Sequence, residues 1–235
     1  MENKKEEYIR KIGIKTNIHK VSYFLKGNIR NKKILFIDME FSKNKEIYEI
    51  GGFVIEERKV IDYIFREYSI SKGEPIWDFD NKRFVEKNIN RGKKKFLKKD
   101  KDWLFTLINS VDYVVMHNYV AEAQCLFKLE YPNEKYNINK VIGFAEGKFI
   151  CTNYTFNNKY FKDLNYKDFT NSGISKAFGW KIKSKKNKYI IKSSSGPYFE
   201  IDKPKNVESK IHNSFYDSVI TLTNYISASK YFYDI

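Results

Sequence analysis

The sequence predicts an α/β domain: a mixed sheet of three antiparallel strands followed by parallel strands, flanked by helices. Two observations carry this prediction. Apolar runs too short for buried helices follow one another between residues 33 and 70, separated only by short polar breaks. From residue 95 onward, segments of helical periodicity alternate with short apolar runs, which suits strands laid parallel beneath helices.

Taken in order, Lys33–Phe41 is a continuous apolar run and reads as a strand. Glu46–Glu57 and Lys59–Ile70, rich in β-branched and aromatic residues, complete an antiparallel meander. Residues 73–92 read as a polar loop. Lys95–Asn109 carries Phe96, Leu97, Trp103, Leu104, Leu107 and Ile108 at helical spacing. Val111–Met116 is a second buried strand, with a helix over Val120–Leu129, a short strand near Lys148–Thr152 and a helix over Asp168–Phe178. Lys188–Ile201 has the form of a hairpin turning at residues 193–197. A final helix spans Ser214–Tyr231, with a serine to cap it. Without repeats or a Pro-rich linker, the chain divides into a basic extension, residues 1–32, and one domain, residues 33–235, elaborated by the basic segment near 181–201.

The 235 residues carry a net charge of +15, unevenly placed. Residues 1–33 and 82–102 each net +7, residues 181–192 hold six lysines, and the remainder nets −5. Basic patches on a near-neutral body suit a polyanion, because Lys and Arg at phosphates release counterions. A codon bias toward Lys, Asn, Ile and Tyr would raise lysine equally well. Two cysteines in no metal-like spacing, a charged start and no apolar stretch of spanning length predict a reduced, cytoplasmic protein without a membrane partner.

The chemistry-bearing residues lie at element ends. In Ile34-Leu-Phe-Ile-Asp-Met-Glu-Phe41, side-chain alternation puts Asp38 and Glu40 on one face of an otherwise buried strand. Buried carboxylates without a cationic partner either protonate or bind a cation. Glu122 follows His117-Asn118 at the start of a helix, where an acid also serves as ordinary capping. Asp217 stands in the first turns of the last helix, five residues after His212, one of only three histidines. Oxygen ligands suit Mg²⁺ or Mn²⁺, and a histidine beside two such ions can take a proton from an attacking water.

In this order the three fragments resemble the motifs of the DEDDh (DnaQ-like) 3′–5′ exonucleases, a branch of the ribonuclease H-like superfamily. Asp38-Met-Glu40 matches the first motif, and Glu49-Ile-Gly51 is similar to the family's second strand. His117-Asn-Tyr-Val-Ala-Glu122 matches the second motif with Glu for the usual Asp, and His212-Asn-Ser-Phe-Tyr-Asp217 matches the third with Ser214 for Ala. The resemblance implies Asp38, Glu40, Glu122 and Asp217 as ligands of two Mg²⁺ ions, replaceable by Mn²⁺, and His212 as general base. It implies release of nucleoside 5′-monophosphates from a DNA or RNA 3′ end. Met39, Phe41, His117 and Asn118 are the expected substrate contacts; Phe41 is open equally to a core role and His117 to a structural one. Tyr189, Tyr198 and Phe199 of the basic hairpin are candidates to stack on bases. The competing reading is a catalytically weakened nucleic-acid-binding or polymerase-associated module that keeps the fold. A chance match would instead leave the acids scattered in space.

Overall fold

The computed structural model describes residues 32–57, 59–78, 81–86, 92, 94–134, 148–153, 170–193, 198–208 and 212–233. Of the predicted extension over residues 1–32 and the predicted turn at 193–197, residues 1–31 and 194–197 lie outside the described residues. Strands β1 (Ile34–Phe41), β2 (Ile47–Glu56) and β3 (Lys59–Glu67) form the expected antiparallel meander. Strand β6 (Tyr113–Met116) pairs parallel to β1, and β7 (Phe149–Cys151) pairs parallel to β6. The sheet order is β3-β2-β1-β6-β7, a ribonuclease H-like topology.

Helices cover both faces of this sheet. On one face Leu35, Ile37 and Met39 pack with Leu104 and Ile108 of α1 (Lys98–Asn109) and with Ala123, Leu126 and Phe127 of α2 (Tyr119–Glu130). On the other, Ile34, Phe36 and Phe53 meet Ile174 of α3 (Asn171–Ala177) and Phe215, Val219 and Leu222 of α4 (Ser214–Tyr233). Each fully buried Leu, Ile or Phe contributes about 1.5–3 kcal/mol of hydrophobic stabilisation before the entropy of ordering is charged against it. Strict alternation along β1 therefore fixes its register, because a slip by one residue would exchange the two cores.

Residues 73–92 are not wholly loop. Strands β4 (Pro75–Asp78) and β5 (Arg83–Glu86) form a hairpin. With only four residues each, they carry too short a pattern to read in sequence; Ile76 and Val85 fold them down onto Tyr48 and Ile70.

The basic segment is a three-stranded antiparallel sheet, β8 (Lys181–Ser184), β9 (Lys188–Lys192) and β10 (Tyr198–Asp202). The predicted arms are β9 and β10; β8 is an additional strand. Tyr189 is fully buried, its ring 6.2 Å from that of Phe215 and 5.5 Å from that of Tyr216, and Phe199 lies 6.4 Å from Trp180. Tyr189 is thus core, not a base-stacking surface, and Phe199 is half-buried beside Trp180; nothing is described of the Tyr198 side chain.

Among the described residues no helix is long and apolar enough to cross a membrane.

Candidate metal centre

Asp38 and Glu40 extend the Ile34–Phe36 row of β1, on the face covered by α4, just where the apolar packing ends. Both are half-buried. Between Glu40 and Phe41 the pairing with β2 slips by one residue, leaving Tyr48 as the extra residue of a β-bulge. The bulge aims the Tyr48 hydroxyl at Glu40, donating to Oε2 at 3.2 Å.

Opposite this pair, β2 presents Glu49 and Gly51. A Cβ at Gly51 would lie 2.5 Å from both Phe215 Cα and the Ser214 carbonyl carbon, so only glycine admits the first turn of α4 at this depth. Glu49 anchors that turn: its Oε1 accepts from the Ser214 N–H at 2.6 Å and from the Ser214 hydroxyl at 2.9 Å. The predicted serine cap is therefore one residue off. Asn213 caps the helix, its Oδ1 accepting from the Tyr216 N–H at 3.2 Å, while Ser214 is committed to Glu49. Ser218 donates to the Gly51 carbonyl at 2.8 Å, and Asn171 donates to the Asp217 carbonyl at 2.9 Å. Sheet and neighbouring helix both hold the turn that carries Asp217.

His212 adopts a left-handed backbone, φ 67°, uncommon outside glycine and often retained at functional sites. There its N–H donates to Asp217 Oδ2 at 2.8 Å. A ring nitrogen of His212 and carboxylate oxygens of Glu40 and Asp217 all lie within 4.8 Å of one another. Glu122 stands in the first turn of α2, with 4% of its surface exposed. Glu122 Oε2 and Asp217 Oδ1 are buried and have no hydrogen-bond partner among the described residues.

The acids feel one another. Burial, then Asp217, Glu40, Glu122 and Glu49, push the Asp38 carboxyl well above the usual carboxylate range. Burial raises Glu40 likewise, joined by the charges of Asp217, Glu49 and Glu122 against the opposing Tyr48 hydrogen bond. Burial lifts Asp217 to about 7 despite the His212 N–H, and Glu122 to about 8 despite the nearby Lys45 ammonium. Glu40, Asp217 and His212 converge, whereas Asp38 and Glu122 lie outside that close group and act on it through their charges; a divalent cation relieves such crowding. Carboxylate oxygens beside one imidazole nitrogen, two of those oxygens orphaned, fit Mg²⁺ or Mn²⁺.

The remaining sequence candidates divide. The Met39 side chain is buried on the opposite face, in the core with Leu35 and Ile37. Phe41 is half-buried beside that core, with the Lys45 ammonium 4.5 Å from its ring centre. His117 is buried, Nδ1 lying 2.9 Å from Thr152 Oγ1 and Nε2 3.4 Å from Asn153 Nδ2. Asn118 is exposed at the N-cap of α2 and makes no side-chain cap bond.

Sequence reasoning passed over Tyr48, Lys45 and the anchoring role of Glu49. Only Glu49 left a signal, as a charge two residues before glycine in an otherwise apolar strand. No protein-family model, curated protein or solved structure gives a significant match to this chain.

Proposed function

We propose that the protein is a two-metal-dependent 3′–5′ exonuclease of the DEDDh type, hydrolysing DNA or RNA ends to nucleoside 5′-monophosphates. The observation that carries this reading is the approach of Glu40, Asp217 and a His212 ring nitrogen to within 4.8 Å on the face that also bears Asp38. Asp38, Glu40, Glu122 and Asp217 would hold two Mg²⁺ or Mn²⁺ ions. Bound there, the ions would neutralise phosphate charge and lower the pKa of water.

The chain's own residues then have defined tasks. His212 takes a proton from water at a ring nitrogen as the water oxygen bonds to phosphorus. The bond from phosphorus to the 3′ oxygen breaks and that oxygen takes a proton from solvent water, leaving a 3′-hydroxyl on the shortened strand and a 5′-monophosphate in the site. Tyr48 fixes the Glu40 carboxylate, and the left-handed turn at His212 ties the base to Asp217. Apolar packing beneath Asp38 and the helix over Gly51 keep the acids in place.

One feature favours the catalytically weakened binding module instead: Glu122 stands where the resembled motif has Asp, and the Lys45 charge opposes the upward shift of its carboxyl. Titration with Mn²⁺ separates the two readings. An exonuclease binds about two ions per chain, with Glu122→Gln and Asp217→Asn each losing affinity, and turns over a single strand when loaded. A weakened module binds at most one ion and leaves the strand intact.

A further inference from the structure

The β4–β5 hairpin buries one side and displays the other. Ile76 and Val85 face Tyr48 and Ile70, whereas Trp77 and Phe84, directly paired across the strands, face out with 38% and 45% of their surfaces exposed. Their rings meet edge to face at 5.1 Å, forming one partly exposed aromatic surface. The Lys43 ammonium sits 5.6 Å from the Phe84 ring centre, and Lys82 and Arg83 are exposed beside it in sequence.

The hairpin is also bound to the segment that follows Glu40. The Lys43 N–H donates to the Pro75 carbonyl at 2.8 Å, and Glu74 accepts from the Asn44 N–H and side-chain amide at 2.9 and 3.0 Å. Glu46 accepts from the Ser71 N–H at 2.8 Å. Tyr48, against which Ile76 packs, donates to Glu40 itself. The aromatic pair is thus linked to the acid cluster through packed and hydrogen-bonded residues.

We infer that the Trp77–Phe84 face, with Lys43, is a stacking platform for the bases of an unpaired nucleic-acid strand whose end lies in the acid cluster. The inference rests on the nuclease reading and adds the substrate class. Exposed rings beside cations match a single strand, because every base has a stacking face and each phosphate attracts an ammonium, whatever the sugar. A duplex hides its base faces and offers the platform only its backbone.

The test uses Trp77→Leu and Phe84→Leu, which keep apolar cross-strand bulk while removing the aromatic faces, and Trp77→Phe, which keeps one. Anisotropy of fluorescein-labelled single strands of DNA and RNA, and of the corresponding duplexes, is read in EDTA; KM is read with Mg²⁺. Each leucine variant is expected to weaken single-strand binding about tenfold and to raise KM by the same factor. Trp77→Phe restores both, unchanged melting temperatures verify the fold, and duplex binding stays insensitive to all three. Equal single-strand affinity in wild type and folded leucine variants overturns the platform, as does an equal loss for duplex. Hydrolysis with unaltered KM in those variants sinks the platform and leaves the nuclease standing. Strand binding that depends on Trp77 and Phe84, without hydrolysis under Mg²⁺ or Mn²⁺, upholds the platform and removes the nuclease reading.

Discussion

Replacing Asp217 by Asn should stabilise the metal-free protein while abolishing its chemistry. Burial and the Glu49 charge hold the Asp217 carboxyl at about 7 against an ordinary 3.8, a rise of about three pH units. At about 1.4 kcal/mol for each, ionising Asp217 in the folded chain costs up to about 4 kcal/mol relative to the unfolded chain. Neighbouring acids can take up the proton instead, so about 1–4 kcal/mol is the expected gain in the variant. The sign follows from the raised value. Below about pH 4 the group is protonated in both states and costs nothing; the penalty grows through pH 4–7 and is complete above 7. Asparagine keeps an Oδ1 acceptor for the His212 N–H at the same place, so the loop should survive. Urea unfolding near pH 8 in EDTA should therefore place the variant's midpoint above wild type, with the gap closing toward pH 4. Saturating Mn²⁺ should reverse the order, since only wild type offers the full ligand set. A variant less stable than wild type in EDTA at pH 8 would refute the account of mutually repelling, desolvated acids.

Gly51→Ala should cost at least about 3 kcal/mol, the upper end for overpacking, because the methyl meets the backbone of α4. In a domain of this size that is a drop of about 6–12 °C in melting temperature, measurable by calorimetry. Glu49→Ala strands the Ser214 N–H and hydroxyl in the interior and should cost about 2–4 kcal/mol in urea unfolding. Glu49→Gln, which keeps an acceptor, should recover much of that loss. His212→Ala should lower kcat by about 100-fold or more with Mn²⁺ affinity unchanged. Loss of an ion in that variant would make His212 a ligand and not the base.

Much of the candidate centre was legible because carboxylates interrupting a buried strand are costly, and Asp38 and Glu40 do so in an eight-residue run. The strand's two faces, the antiparallel meander followed by parallel strands, and the final helix follow from short apolar runs and their periods. Less legible was whatever depends on a neighbour's shape. The bulge that turns Tyr48 toward Glu40 is a one-residue slip between two apolar strands, and neither strand's composition records it. The inward face of β9 could not be chosen in advance, since Tyr189 and Ile191 suit either a base or the α4 surface that buries them. Glu49 looked like an acid beside glycine; its task is set by Ser214, 165 residues away in sequence.

The most direct measurement of the central claim is the product ladder from a single strand labelled at its 5′ end and incubated with Mg²⁺. Stepwise shortening from the 3′ end with release of nucleoside 5′-monophosphates is the expected result. EDTA should protect the strand fully, and Asp38→Ala should yield none of these products. A strand left intact under both Mg²⁺ and Mn²⁺ while remaining bound to the protein would contradict that claim.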